Sequence, residues 1–461
     1  MKTWLLVLFL LPAVASCQPQ RLGGGGSDAR VTNLKVLNVV DYGAIGDGST
    51  SDSSAIQNAI NAAYTAGGGV VYIPAGTYIA NVKIKSNVKL RGAGFNLTTL
   101  KSRAGSNRSV VQSDSFYIWT GTTTFGGNVD FEISHMTIDA NKVANADSGY
   151  GVRVYGKRFK IFDVTVQNAK QDGMYTEWGG TASYNNPSED QEAFVGRIKT
   201  IFNDGNGWQF KGPGDMEVNG VLSYQNKAWG IKVMSPMHLS QYNGYLNDTG
   251  AVHICYSGVI FGSDIHATTA TGWGMLIDAG VGCSSISDIS ATGPIGVEIR
   301  AVGQVITGIV QNTTDTGVKF DGGSANLTLT MTGNSGYWFD LTNVGGTNNV
   351  IVSAQNGADG TLFKPAQYPG PYDTWFVGGA PSGYTGWRFK PPQDKFYVNG
   401  YEPVFPATND TLLANSAFKH WNNQAVVTGL PTYADNAAAI AGGLVAGMLY
   451  RTSAGLVMVV Y

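Results

Sequence analysis

The chain has 461 residues, with 30 Lys plus Arg against 32 Asp plus Glu and a formal net charge of −2. So balanced a surface leaves no electrostatic footprint for nucleic acid, and no internal apolar run is long enough to span a bilayer. Gly, at 62 residues, is about twice its usual share while Pro is only 16, which with abundant Val, Ile, Thr and Tyr points to turn-rich all-β structure.

The first 17 residues have the form of a secretory signal: Lys2, an apolar run over residues 4–14, then Ala15-Ser16-Cys17. Val14-Ala15-Ser16-Cys17 also resembles a bacterial lipobox, which implies lipidation of Cys17. The alternative is ordinary cleavage. Either way the expected location is outside the cytoplasm, secreted or lipid-anchored at the cell surface. Residues 18–30, with Gly23-Gly-Gly-Gly-Ser27, form a flexible linker. Cys255 and Cys283 are the cysteines of the body, and an oxidising compartment allows them to pair.

The folded domain is expected over residues 31–365. It opens with a strand over residues 36–41, a turn-rich loop to Gly48, and a helix capped near Ser51-Asp-Ser-Ser54. That helix carries Ile56, Ala59, Ile60 and Ala63 at helical spacing. Gly67-Gly-Gly69 ends it and residues 70–74 return to strand. Three segments carry a resemblance: Asp41-Tyr-Gly-Ala-Ile-Gly-Asp-Gly48, Gly67-Gly-Gly-Val-Val-Tyr-Ile-Pro-Ala-Gly-Thr-Tyr78 and Lys83-Ile-Lys-Ser-Asn-Val-Lys-Leu-Arg-Gly-Ala-Gly94. They resemble the start of the pectate-lyase-like superfamily and, most nearly, of the mannuronan C5-epimerases. The resemblance implies a right-handed parallel β-helix, a fold shared by lyases, hydrolases, epimerases and phage tailspikes.

The next 200 residues repeat one pattern. Small residues at 151, 173, 207, 230, 251, 274, 296, 317, 336 and 360 each open a short alternating segment, as in Gly207-Trp-Gln-Phe-Lys211 and Gly230-Ile-Lys-Val-Met234. A period near 22 with strand alternation is the mark of a single-stranded solenoid, with the N-terminal helix capping its open end. A second strand set precedes these rungs, and Asn168, Asn203, Asn226 and Asn312 mark the turns between. One longer interval places an insertion near residues 179–196, a candidate groove wall. Past residue 366 the repeat stops. Residues 366–461 are expected to hold a Pro/Gly/aromatic wrapping segment and a small β module. That module resembles terminal modules of phage tail proteins, often trimeric, so the chain is expected as monomer or homotrimer.

Counting from each small residue, positions +1 and +3 are apolar and face the core, so +2 and +4 face outward. Column +2 holds Arg153, Tyr175, Gln209, Lys232, His253, Leu276, Glu298 and Lys319. Column +4 holds Tyr155, Glu177, Lys211, Met234, Cys255, Asp278, Arg300 and Asp321. With rungs about 4.8 Å apart, this strip suits a groove for an acidic polysaccharide. Cleavage of a uronate by β-elimination needs a partner for the C6 carboxylate, a base for the C5 proton and an acid for O4. Tyr175 is the expected acid. Lys232 or His253 is the expected base, since the ammonium groups of Lys211 and Lys232 repel on adjacent rungs. Lys211 or Arg153 is the expected carboxylate partner. Tyr155, Glu177, Gln209, Asp278, Glu298 and Arg300 complete the binding strip.

Three other readings stand beside the lyase. Asp278 and Glu298, about 8 Å apart on a diagonal, fit an inverting hydrolase. The C-terminal module fits a non-catalytic glycan-binding, tailspike-like protein, and ion pairing along the strip fits a merely solvated face. An epimerase is disfavoured, because that family shows Tyr-Gly-Phe-Asp-Pro-His where this chain has Asp172-Gly-Met-Tyr-Thr-Glu177. No local metal-binding spacing is present; Asp278, Glu298 and Asp321 are the residues that would hold Ca²⁺.

Overall fold

The computed structural model describes residues 35–114, 127–178, 193–343, 348–354 and 361–363, with short stretches beyond at 374–378, 395–397, 418–421, 424–427, 432–444, 449–453 and 457–459. The expected insertion lies largely outside the described residues, as do the signal segment and linker. Among the described residues nearly all structure is parallel β, in one 18-stranded and one 13-stranded sheet. The two sheets alternate along the chain and enclose one apolar core: a parallel β-helix.

The N-terminus departs from expectation in one detail. The strand stops at Val36–Asn38, and Val39–Tyr42 is a 3-10 turn whose Val40 amide donates to the Asn38 side chain. The helix, α1, spans Ser53–Thr65 and buries Ala55, Ile56, Ala59, Ile60 and Ala63 over the first coil. Its N-cap residue Asp52 makes no cap bond. The buried carboxylate accepts instead from the Ile45 amide at 2.7 Å and ties down the preceding loop.

The smaller sheet holds the expected rungs, among them Val152–Lys157, Met174–Trp178, Trp208–Lys211, Trp229–Val233, Gly250–Ile254, Trp273–Ile277, Ile295–Ile299 and Thr316–Asp321. Close approach requires the small opening residues. A Cβ on Gly207 would lie 2.2 Å from Ser223 Oγ and 2.5 Å from the Gly230 carbonyl. Asn203, Asn226 and Asn247 stack in a buried amide ladder that sets the turn ahead of three successive rungs. The Asn203 Nδ2 donates to Asn226 Oδ1 at 2.8 Å, and Asn226 Nδ2 to Asn247 Oδ1 at 2.9 Å.

Strands of the larger sheet bend at a single left-handed residue: His135, Asp163, Arg197, Gly220, Gln241, Asp264 and Asp288 on successive coils. Each is skipped in the ladder register, which turns one sheet into two faces of the coil. The larger sheet also runs past residue 365, where Thr374–Gly378 and Lys395–Tyr397 add parallel strands. The small-residue repeat marks only the other sheet and is blind to these. Farther on, Phe418–Trp421 with Gln424–Val427 and Leu449–Arg451 with Val457–Val459 form antiparallel hairpins. Cys255 and Cys283 are both free, the first buried in the ladder and the second exposed at a turn, so the pairing considered above does not form.

Candidate functional site in the ladder groove

The register reproduces column +2. Arg153 pairs with Tyr175, Tyr175 with Gln209, Gln209 with Lys232, Lys232 with His253, His253 with Leu276, Leu276 with Glu298, and Glu298 with Lys319. The column also reaches two rungs farther back, to Gln112 and Lys83. Their spacings of 29 and 41 residues hid them from a 22-residue repeat. The floor is less open than expected. Tyr155, Tyr175, Cys255, Leu276 and Glu298 are all buried. The residue before each small residue explains part of this. Trp229 lies over His253 at a ring-centroid distance of 4.6 Å and stacks at 5.8 Å on Trp273, across the Cβ-less Gly250.

At the N-terminal end Arg153 lies over the rings of Tyr150, Tyr155 and Tyr175, at 5.2, 6.0 and 5.8 Å. The Tyr175 hydroxyl donates to Glu177 Oε2 at 2.5 Å, and Lys211 Nζ sits 3.5 Å from Glu177 Oε1. Burial, then Glu177, drives the Tyr175 phenol well above the ordinary tyrosine range. An acid is most effective with a pKa near the working pH, and Tyr175 holds its proton far more firmly. It is also three rungs, about 14 Å, from His253. Those two do not serve the same glycosidic bond; Lys232, the other expected base, is two rungs from Tyr175.

The C-terminal end is a closed ion network. Glu298, with no accessible surface, takes the Arg300 Nε at 2.7 Å, the Trp273 Nε1–H at 2.7 Å and Lys319 Nζ at 3.3 Å. Asp278, 30% exposed, takes Arg300 Nη1 at 3.0 Å and His253 Nε2 at 2.7 Å. A hydrolase base must reach water, and Glu298 does not. The expected Asp278–Glu298 hydrolytic pair is therefore a structural pair bridged by Arg300. The same guanidinium lies 3.9 Å from Asp321, so Arg300 is the cation shared by the three carboxylates expected to hold calcium. His253, Cys255 and Asp278 bring ligand atoms within 4.8 Å of one another, a set suited to a softer metal.

Lys232 lies between these ends. It makes no hydrogen bond or ion pair with the described residues, and its charge is felt by His253, Cys255 and Asp172. Beside it, His253 is a neutral imidazole. Burial depresses its pKa, with Asp278 opposing and Lys232 and Arg300 assisting. Because a carboxylate only accepts, Nε2 carries the proton. Its Nδ1 is buried without a partner among the described residues. His253 thus meets the groove through Asp278. Asp172 is a member the column analysis missed. It precedes a small residue, as do Asn206, Trp229 and Trp273, and a reading of that column would have found it. Its Oδ1 accepts from the Asn206 amide at 2.7 Å and side chain at 2.8 Å, while burial raises its pKa.

Residues 36–275 match the family described as rhamnogalacturonase A/epimerase, pectate lyase-like, and the chain belongs to that family. It is 35% identical over 146 residues to the mannuronan C5-epimerase AlgE3 of Azotobacter vinelandii, covering 29% of this chain and 8% of that protein. It is 36% identical over 148 residues to alginate lyase 7 of the same organism, covering 29% and 16%. The chain thus spans less than a fifth of these relatives. The solved A-module of the A. vinelandii epimerase AlgE4 has 18% identity and a TM-score of 0.42, over 81% of this chain and 100% of that one.

Proposed function

From membership of this pectate lyase-like family, we propose that the chain is a carbohydrate-active enzyme that binds an acidic, uronate-containing polysaccharide along the ladder and cleaves it by β-elimination. Lys232 carries the proposal: a cation on the groove floor that makes no ion pair or hydrogen bond among the described residues, beside a C-terminal end whose charges are paired. A uronate carboxylate supplies the missing partner. Pairing at C6 stabilises the charge that develops as the C5 proton leaves. The electron pair of C5–H becomes the C4=C5 double bond, C4–O4 breaks, and O4 departs with a proton taken from solvent water in the open groove. The acceptor assigned to the C5 proton is the Asp278 carboxylate, two rungs from Lys232 and held by His253 at 2.7 Å. The aromatic end, with Arg153, Tyr155, Tyr175 and Gln209, cradles neighbouring sugars. The substrate class fits a protein secreted, or anchored through Cys17, and acting as monomer or homotrimer.

Incubation with alginate, polygalacturonate and neutral glycans tests the reading. New ultraviolet absorbance from an unsaturated sugar is expected with a polyuronate, falling roughly 100-fold or more in Lys232→Ala. Reducing ends without absorbance would replace elimination by hydrolysis. Binding without any cleavage would make the groove a lectin, and unchanged turnover in Lys232→Ala would remove that residue from the centre.

A further inference from the structure

The groove does not end at Arg153. Beside it opens a cavity of about 400 Å³ lined by Lys83, Arg108, Gln112, Tyr150, Arg153 and Gln171, with Asn107, Ser109 and Ser148 at its edge. Three of these residues are cations and none is acidic. Lys83 and Arg108 are exposed. Lys83, Gln112 and Arg153 are consecutive members of column +2, so the cavity continues the floor on which Lys232 stands.

A second cavity, of about 600 Å³, shares Lys83 and extends across the capping helix. Its lining is Ser53, Ser54, Gln57, Asn58 and Asn61 of α1 with Asn81, closed at the far rim by the Lys85–Asp114 ion pair at 2.8 Å. The outer face of α1 is unusual for a surface helix. The segment Ser53–Thr65 contains no charged residue, although exposed helix faces ordinarily carry them. In their place it presents amides and hydroxyls, which donate and accept and so match sugar hydroxyl groups. Part of the array is already oriented: Gln57 accepts from the Lys83 amide at 2.8 Å and donates to its carbonyl at 3.1 Å.

We propose that these adjoining cavities form a distal subsite for the same anionic polymer. Lys83 and Arg108 hold an acidic group, and the α1 amides hold the hydroxyls of the next sugars. Arg153 is three rungs from Lys232, about 14 Å, and Lys83 five, about 24 Å. Only a chain of several sugars reaches both places. The capping helix thereby acts in substrate recognition as well as in closing the solenoid. The identity of the ligand rests on the function proposed above; its placement rests on the cavities.

The test is calorimetric binding of long alginate and polygalacturonate chains, and of their disaccharides, to Lys232→Ala protein, which separates binding from cleavage. In that background Lys83→Gln/Arg108→Gln is expected to weaken long-chain binding about tenfold, with a reduced salt dependence. Asn58→Ala/Asn61→Ala is expected to weaken it about threefold with the salt dependence unchanged. Disaccharide affinity stays the same in both. A thermal midpoint within a few degrees of the parent shows that the fold is intact. Equal long-chain affinity in the double variants would overturn the subsite. Failure of every polyuronate to bind the parent would overturn the reading of the groove itself, a distinguishable result.

Discussion

The two ends of the groove are cut from the same columns and have opposite electrostatics. Toward the N-terminus, among the described residues, Lys83, Arg108, Arg153 and Lys211 gather with the carboxylates of Glu177 and Asp172 around three tyrosine rings. Toward the C-terminus, Arg300 and Lys319 face Asp278, Glu298 and Asp321. Among the described residues the first end sets more cations than carboxylates beside aromatic rings, as an anionic sugar polymer requires. The second satisfies its own charges and buries the central one. A charged residue on a β-helix face therefore indicates a ligand only where its neighbours fail to neutralise it, and Lys232 stands at that boundary.

The largest effect that can break this contrast is on stability at the closed end. Glu298→Ala leaves the Arg300 and Lys319 charges and the Trp273 N–H turned toward an empty, buried point. Removing one partner of a buried pair costs about 3–5 kcal/mol. Both cations here are partly exposed and can turn to water, so about 3 kcal/mol is expected, read from denaturant unfolding. Lys211→Ala, at the open end, is expected to cost less than about 1 kcal/mol. Equal losses would mean that the two ends do not differ in kind.

Next in size is a pH effect located at His253. Its folded pKa lies below the ordinary value, because burial outweighs Asp278. Between the folded and unfolded values the unfolded chain binds more protons, so stability rises with pH across that window. Acidification below about pH 6.5 is expected to destabilise the protein, by at most about 1.4 kcal/mol per pH unit from this one site. The loss levels off below the folded pKa. His253→Gln should flatten that part of the stability profile. A profile identical to the parent would show that the imidazole is not buried in neutral form.

The contrast also explains what could be read without coordinates. The ladder was legible because each rung needs a residue without bulk at its start, as Gly207 shows, and because alternation fixes inside from outside. Chemistry at a single rung was less legible. Glu298 and Lys232 occupy the same column, and nothing local to either says that one is sealed by Trp273 and Arg300 while the other is unpaired. Sealing comes from Arg300, two residues on at the same rung, and from Trp273, just ahead of the small residue one rung back. Lys83 and Gln112 were missed because loops of unequal length precede them. The left-handed bends at Arg197 and Gln241 were also hidden, since neither residue favours that conformation. At Arg197 the Asp163 carboxylate, 2.7 Å from Nη2, secures it.

The smallest expected effect decides most about mechanism. Tyr175→Phe removes one hydroxyl from the open end and keeps the ring on which Arg153 and Lys211 rest. Glu177 loses the phenol but retains Lys211, so the cost to stability should be about 1 kcal/mol. Because the phenol is held far above the ordinary range and lies two rungs from Lys232, turnover on a cleaved polyuronate should stay within about threefold of the parent. A general acid at the reacting sugar would instead cost ~10²–10⁴ in kcat. A fall of that size would move the reaction centre from Lys232 into the tyrosine cluster. The open end would then be where the chain is cut, and the His253–Asp278 pair would be wholly structural.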